Sequence, residues 1–452
     1  IFQLESEGIK NLIRQLQPRE FEDIVATIAL YRPGPMENIP EYLKRKKNPQ
    51  YIDYIHPSLK PILEHTYGIM IYQEQIMQIS QKMAGFSLAK ADNLRKAISK
   101  KHSNEIRQLE TEFIEGAVKQ GYTKDLAKHV YELIMKFANY GFNRSHSVAY
   151  ALVAYQLVYL KANYPLYFFC SLLNSVIGSE TKSSEYIFEA KKRGIAVLVP
   201  SVNASFDHYV IEDKALRFPL TAIKNIGSAV CATIVAERTQ NGEFNDYFDF
   251  IARMITKKVN KKTVETLIHA GALDCFKINR ASLLATMDDA FRYGDLVKVE
   301  DENQIMIKFD LVSKPAVKTM RENATLRSMK EREAIGFYLS KHPIEELRKD
   351  IDGKLQPIIS LSAKRGYIQL LCYLERTREH RTKNGELMMF GVGADDSGKI
   401  DLVIFPKIYQ QYRDILMKGN YLLIDAMKKE EQSCIVNKIV YIPIDEKRQE
   451  AE

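Results

Sequence analysis

Residues Lys136 to Pro165 (KFANYGFNRSHSVAYALVAYQLVYLKANYP) limit most tightly what this chain can fold into. From Val148 to Leu160 only Gln156 interrupts an apolar run, and Lys161 closes it. The run falls short of the ~20 residues a membrane span needs, so it predicts a helix buried on nearly all sides within a domain. A polar turn, Gly141-Phe142-Asn143-Arg144-Ser145-His146-Ser147, stands directly before it. Asn143 or Ser145 can cap that helix. Its first turn carries unpaired N–H groups and the positive end of the dipole, and Arg144 and His146 add side-chain donors. A helix with such a mouth suits phosphate. A capped core helix with two solvated polar residues explains the same letters.

At 452 residues the chain has room for about two to four domains. It is 46% hydrophobic and 27% charged, a balance that buries real cores. The net charge of +8 favours anionic partners only weakly, so local clusters matter more. Cys170, Cys231, Cys275, Cys372 and Cys434 form no CxxC pair. That argues against a zinc site or disulfide framework and for a reducing, cytoplasmic setting. With no signal peptide or transmembrane run, no membrane partner is expected. The chain opens at Ile1 inside a patterned segment, which suggests a portion of something longer.

Up to about Cys170 the letters read as helices. Ile9, Leu12, Ile13 and Leu16 repeat at helical spacing, and Phe21 to Leu30 forms a second amphipathic segment. Tyr31-Arg32-Pro33-Gly34-Pro35 must turn, and Lys44-Arg45-Lys46-Lys47 is either a solvated face or a phosphate contact. Gln73, Glu74 and Gln75 are polar where a chain entering a core turns into a helix; Glu74 suits the dipole there. From Lys90 to Arg107, Ala91, Leu94 and Ile98 form an apolar stripe. At about 100° per residue, Lys96 and Lys100 lie opposite it and Arg95 beside it, so the helix can present three cations. Further helices are expected from Glu110 to Phe137 with a break at Gly121, and from Ser171 to Ala190 with a break at Gly178-Ser179. A short strand is expected at Ile195–Pro200.

Near Leu216 a new unit begins. Ile223-Lys224-Asn225-Ile226-Gly227, running through Ser228 into a helix, resembles a helix-hairpin-helix, whose exposed N–H groups grip phosphate without reading bases. Asn225 stands where glycine is usual, and Asn tolerates positive φ. A second copy is expected at Leu267–Asp274, and between the two lies a basic run containing Arg253, Lys257, Lys258, Lys261 and Lys262. Asp301 to Ala324 reads as a linker containing a short apolar segment, Gln304–Leu311, able to dock a partner or to cover a neighbouring core. Ser328 to Arg348 reads as helix broken at His342-Pro343. From Pro357 the period becomes two. Strands are expected at Ile368–Leu374, Leu387–Val392, Ile400–Phe405, Tyr421–Asp425 and Cys434–Val440, with a helix at Lys407–Leu416. That order describes an OB-fold, whose aromatics with Arg376, Arg378 and Arg381 suit single-stranded DNA, though such barrels also bind protein.

Five stretches occur in one order: Ile1-Phe2-Gln3-Leu4-Glu5-Ser6, Tyr31-Arg32-Pro33-Gly34-Pro35, Tyr72-Gln73-Glu74-Gln75, Tyr140 to Ser147, and Lys341-His342-Pro343. Together they resemble the alpha subunits of bacterial DNA polymerase III, the replicative polymerases, over essentially the whole chain. The Ile177-Gly178-Ser179-Glu180 run and the compact ending resemble the Gram-positive versions. The resemblance implies a multidomain plan: a predominantly α fingers domain, a tandem helix-hairpin-helix domain and an all-β OB-fold barrel. Its expected limits are 1–170 for the fingers, 171–215 for a connector with short strands and 216–300 for the hairpins. A linker with the clamp segment and a helix follows at 301–356, then the OB-fold at 357–442 and a charged tail at 443–452.

By the same resemblance, Arg95, Lys96, Lys100, Lys101, Arg144 and His146 hold the incoming deoxynucleoside triphosphate. Lys224, Asn225, Ile226, Gly227 and Ser228, with Lys257, Lys258, Lys261 and Lys262, contact primer-template DNA. Gln304, Ile307 and Phe309 are the nearest match to a sliding-clamp peptide, longer than the family's by one residue. Other replisome subunits are further expected partners. The family's two magnesium ions sit on three palm aspartates that precede the part matched here. No catalytic residue is therefore assigned within this chain, and alone it is expected to be inactive. The competing expectation is a non-catalytic DNA-binding and clamp-interacting scaffold with no nucleotide pocket.

Overall fold

The computed structural model describes residues 1–100, 102–138, 141–301, 304–351, 355–361, 363–430 and 433–443. Lys101, Tyr140 and residues 444–452 of the expected charged tail lie outside the described residues. The chain forms two compact units, Ile1–Pro165 and Leu166–Glu452.

The first unit is helical: α1 (Glu7–Leu16), α2 (Phe21–Leu30), α3 (Ile39–Lys47), the single turn α4 (Lys60–Leu63), α5 (Gln73–Ala84), α6 (Leu88–Lys100), α7 (Ser103–Lys119), α8 (Lys124–Ala138) and α9 (Arg144–Asn163). Ala91, Leu94 and Ile98 of α6 point into a core shared with Ile76, Ile79 and Met83 of α5 and Phe113 of α7. The basic cluster of α3 is structural in part. Lys46 pairs with the buried Asp23, and Arg45 donates to the carbonyls of Asp53 and Tyr67 at 3.2 and 3.1 Å.

α2 is buried from Val25 to Leu30. It packs along α9, which presents its buried residues Ser147, Ala151 and Ala154, spaced by four and three. This corrects the expectation for α9. Leu152, Val153, Tyr155, Val158, Tyr159 and Leu160 are 42% to 51% exposed, so the helix is buried along one narrow strip. A run that is apolar on all sides carries no mark of which side will be covered.

α10 (Pro165–Asn174) leads into the second unit and is followed by α11 (Glu180–Lys192), with the expected break at Gly178, which has φ +92°. The strand expected at Ile195–Pro200 shrinks to β1 (Val197–Leu198), parallel to β3 (Ala215–Arg217), which pairs antiparallel with β2 (Val210–Glu212). There follow α12 (Ser228–Asn241), α13 (Tyr247–Thr256), α14 (Lys261–Ala270) and α15 (Arg280–Val297). The expected linker is partly a hairpin: β4 (Lys298–Asp301) pairs with β5 (Gln304–Ile307).

Next are α16 (Ala324–Ile335), α17 (Pro343–Ile351) and the single turn α18 (Ile358–Leu361). α16 stops at Gly336, φ +103°, well before the expected break at His342-Pro343. The turn between them is held by Glu331, fully buried, which accepts the N–H groups of Leu339 and Ser340 at 3.0 and 2.7 Å. The same carboxylate accepts from Arg280 at 3.0 Å.

β6 (Gly366–Arg381), β7 (Leu387–Ala394), β8 (Lys399–Ile404), α19 (Pro406–Tyr412), β9 (Tyr421–Lys428) and β10 (Ser433–Ile442) complete the chain. The strands close a barrel in the order β10-β8-β7-β6-β9, with β8 and β10 parallel. This is the OB topology expected from five strands with a helix after the third. β6 runs seven residues beyond its expected end at Leu374. That outer part pairs only with β7 and is exposed, so it has no inward-facing alternation to read.

Among the described residues no helix is long and apolar enough to cross a membrane.

Candidate nucleotide and nucleic-acid interfaces

In the first unit the three polar residues that open α5 each tie down a different segment. Gln75 is buried; its Oε1 accepts the N–H groups of Ile71 and Tyr72 at 2.8 and 3.0 Å, and its Nε2 donates to Thr66 at 2.8 Å. Gln73 Oε1 accepts from Arg95 at 3.1 Å. Glu74 accepts from Asn143 Nδ2 at 2.9 Å and from the backbone N–H of Arg144 at 2.9 Å. A short parallel bridge, Tyr72 to Phe142, holds these pieces in register.

α6 and the start of α9, far apart in sequence, are thus both linked to the first turn of α5. The mouth of α9 is filled from within the chain. Asn143 caps it by accepting the His146 N–H at 2.8 Å, and the Arg144 guanidinium pairs with Glu22 at 2.6 Å. His146 is exposed, its ring between those of Phe142 and Tyr150, with centroids 5.3 and 4.3 Å away. On α6, Arg95 is half-buried against Asp92, Lys96 pairs with Asp92 at 2.7 Å, and Lys100 is exposed. Arg95 and Lys96 are therefore already paired with Asp92, and Arg144 with Glu22, while Glu74 answers the backbone N–H of Arg144. Sequence reasoning missed Glu22 and Asp92, since a helical carboxylate is read as solvated until its partner is placed.

In the second unit one local shape recurs three times. Asn225, Lys258 and Lys277 have φ of +61°, +61° and +57°. Each is followed by an apolar residue turned inward (Ile226, Val259, Ile278) and then by a helix N-cap (Gly227, Asn260, Asn279). α12, α14 and α15 therefore start alike.

This corrects the expected second copy at Leu267–Asp274. Ala270, Ala272 and Leu273 there are fully buried, and any Cβ on Gly271 would collide with Arg280. The repeat lies instead in the basic run, at Lys257-Lys258-Val259-Asn260. The signal in the sequence was Asn or Lys, an apolar residue, then Asn or Gly. Arg253, at the start of that run, is buried against Glu237 and Asp249 and carries structure.

The three starts differ in access. At the first, Lys224, Asn225, Gly227 and Ser228 are exposed, and Gly227 supplies no side-chain cap for the first-turn N–H groups. The hairpin is braced from behind by Lys224 N–H donating to the Ala334 carbonyl at 2.8 Å. Gly227 itself has φ −76°, and a Cβ there would meet nothing within 4 Å. The positive φ falls on Asn225 alone. At the second, Asn260 caps the start by accepting the Thr263 N–H at 2.9 Å, and access is to the lysines: Lys257, Lys258, Lys261 and Lys262 are exposed, Lys261 paired with Asp288 at 2.7 Å. The third is closed, since Glu322 accepts the Arg280 N–H and the Met320 carbonyl accepts from Asn279, both at 2.9 Å.

Of the clamp segment, Ile307 packs on the core of this unit and Phe309 is 44% exposed. On the barrel, Arg376, Arg378 and Arg381 lie on the exposed end of β6, beside Phe390 of β7.

Repeated hairpin starts followed by an OB barrel place the chain among helix-hairpin-helix proteins that carry an OB-fold. Residues 1–121 match the bacterial DNA polymerase III alpha subunit finger domain, and residues 194–283 match the helix-hairpin-helix motif. The chain is 43% identical over 434 residues to DNA polymerase III subunit alpha of Bacillus subtilis strain 168, covering 95% of this chain and 39% of that one. It is 40% identical over 445 residues to DNA polymerase III subunit alpha of Staphylococcus aureus strain Mu50, covering 97% and 41%. Along nearly its whole length the chain is thus related to the DNA polymerase III alpha subunits of Gram-positive bacteria. It spans about two fifths of the length of these curated relatives.

Proposed function

We propose that this chain is the nucleotide- and DNA-handling portion of a replicative DNA-directed DNA polymerase, which extends a primer along a template. The observation that carries the reading is the pair of open hairpins, Lys224–Ser228 and Lys257–Lys261, of one local shape, in a chain related to such polymerases. Backbone N–H groups at a helix start and flanking lysines grip phosphates of any sequence. Arg95, Lys96 and Lys100 are assigned to the triphosphate, Phe309 to a sliding clamp, and the arginine-bearing end of β6 to single-stranded DNA.

Two-metal phosphoryl transfer needs clustered carboxylates. Among the described residues there is no group of three or more His, Cys, Asp or Glu that could hold a metal ion. These residues do not fit the magnesium pair, and no step is routed through it. What they can do is fix the duplex and neutralise phosphate charge as it shifts toward a leaving pyrophosphate.

The filled mouth of α9 favours a second reading, a DNA-binding scaffold without a nucleotide pocket. Titrating the chain with a deoxynucleoside triphosphate in the presence of primed duplex separates the two. Saturable nucleotide binding lost in Lys100→Ala supports the polymerase reading, and duplex binding without it supports the scaffold. Lack of duplex binding overturns both.

A further inference from the structure

The two open hairpins share more than backbone shape. In each, the residue before the left-handed position is a lysine, Lys224 or Lys257. Each lysine is held by a glutamate on a helix outside its own turn: Lys224 Nζ lies 3.0 Å from Glu180 Oε1, and Lys257 Nζ lies 3.1 Å from Glu237 Oε2. The two glutamates differ in what else they do. Glu237 is 6% exposed and also accepts from Arg253 at 3.1 Å and Asn241 at 2.7 Å. Burial alone would raise its carboxyl, yet the bonds from Asn241, Lys257 and Arg253 hold it below the usual carboxylate range. It is part of the core.

Glu180 is different. It is the first residue of α11, where the helix dipole favours its charge, and it is half-exposed. Its carboxyl lies over Gly336, where any Cβ would collide with it. The carboxylate is therefore placed by the fold while remaining open to solvent beside a helix start that has no side-chain cap.

We propose that Glu180 is a built-in competitor for duplex phosphate at the first hairpin, weakening its grip so that DNA is released readily. The proposal rests on the duplex-binding reading above. A phosphate approaching Gly227 and Ser228 must either draw Lys224 away from Glu180 or accept a carboxylate beside it. Both cost affinity, since the same ammonium cannot fully serve two anions.

The test uses the full chain, a labelled blunt duplex and anisotropy across a salt series. The variants are Glu180→Gln, Lys224→Ala and the double variant, with thermal melting as a check on folding. Glu180→Gln is expected to tighten duplex binding about two- to fivefold. It should also steepen the log–log salt slope by up to about 0.9, one more phosphate neutralised. The gain should vanish in the Lys224→Ala background. An equal gain in that background would reduce the effect to net charge and overturn the proposal. So would unchanged or weaker binding by Glu180→Gln. Absence of duplex binding by the unsubstituted chain would instead overturn the duplex reading on which the proposal rests.

Discussion

The Glu74 carboxylate on α5 accepts the backbone N–H of Arg144, the first residue of α9, at 2.9 Å. The donors that a phosphate would use at this helix start are thus answered by the chain itself, with Glu22 answering the Arg144 guanidinium. Two helices meet here as a satisfied structural joint, which nucleotide binding in the first unit would have to rearrange or bypass.

Glu74→Ala removes that acceptor. Loss of an N-terminal acceptor costs about 0.5–2 kcal/mol. Urea unfolding should show this loss, and hydrogen exchange should speed up at Arg144. Protection unchanged at that amide would show that the joint does not depend on Glu74.

Lys100 is the cation of α6 most free to meet a phosphate, because Lys96 already shares Asp92 with Arg95. In a whole polymerase containing this segment, Lys100→Ala should raise the nucleotide KM and lower kcat. The loss in kcat/KM should be roughly ten- to a hundredfold, as for one charge-assisted bond of about 1.5–3 kcal/mol. Lys96→Ala should do less, and DNA affinity should hold. Weakened DNA binding with intact nucleotide kinetics would make α6 a DNA contact instead.

Gly227 needs neither positive φ nor internal space. Gly227→Leu should leave the melting temperature unchanged and weaken binding to all duplex sequences alike, by keeping the sugar-phosphate backbone away from the helix start. Equal affinity for the variant and the parent chain would remove this hairpin from the interface.

Phe309→Ala tests the clamp segment cleanly, because Phe309 is exposed while Ile307 packs on the core. Reduced capture of the chain by an immobilised sliding clamp is expected. Undiminished capture would place the contact elsewhere.

His342 sits among Tyr338, Tyr373 and Tyr421, its ring centroid 4.4, 6.3 and 6.5 Å from theirs. Burial pushes its imidazole down to about 4; Asp396 opposes this, while Arg332 and Arg348 add to it. Above the ordinary value of about 6.5 the ring is neutral folded or unfolded, and its titration contributes nothing. As pH falls from there toward 4, the unfolded chain takes up the proton and the folded one does not, so stability drops. The drop should approach about 3 kcal/mol near pH 4. Unfolding curves of His342→Phe across this range should lack that component; an identical pH dependence would sink the assignment.

The barrel was legible in the sequence because strands such as β8 and β9 bury alternate residues, and a period of two survives whichever neighbours are met. The helices of the first unit were legible for the same reason, since the stripe Ala91, Leu94, Ile98 marks its own inner face. Asn225 could be read as a left-handed turn residue from its chemistry alone. Which faces became sites could not be read. α9 is apolar all round, so only the packing of α2 against Ser147, Ala151 and Ala154 decided its buried side. Lys258 was hidden in a run of lysines until the chain gave it φ +61° and turned Val259 inward. The ion pairs Lys224–Glu180 and Arg144–Glu22 join residues 44 and 122 positions apart. Charge acts through space and is blind to chain order, so only the tertiary structure decided which cations face a partner and which are already answered.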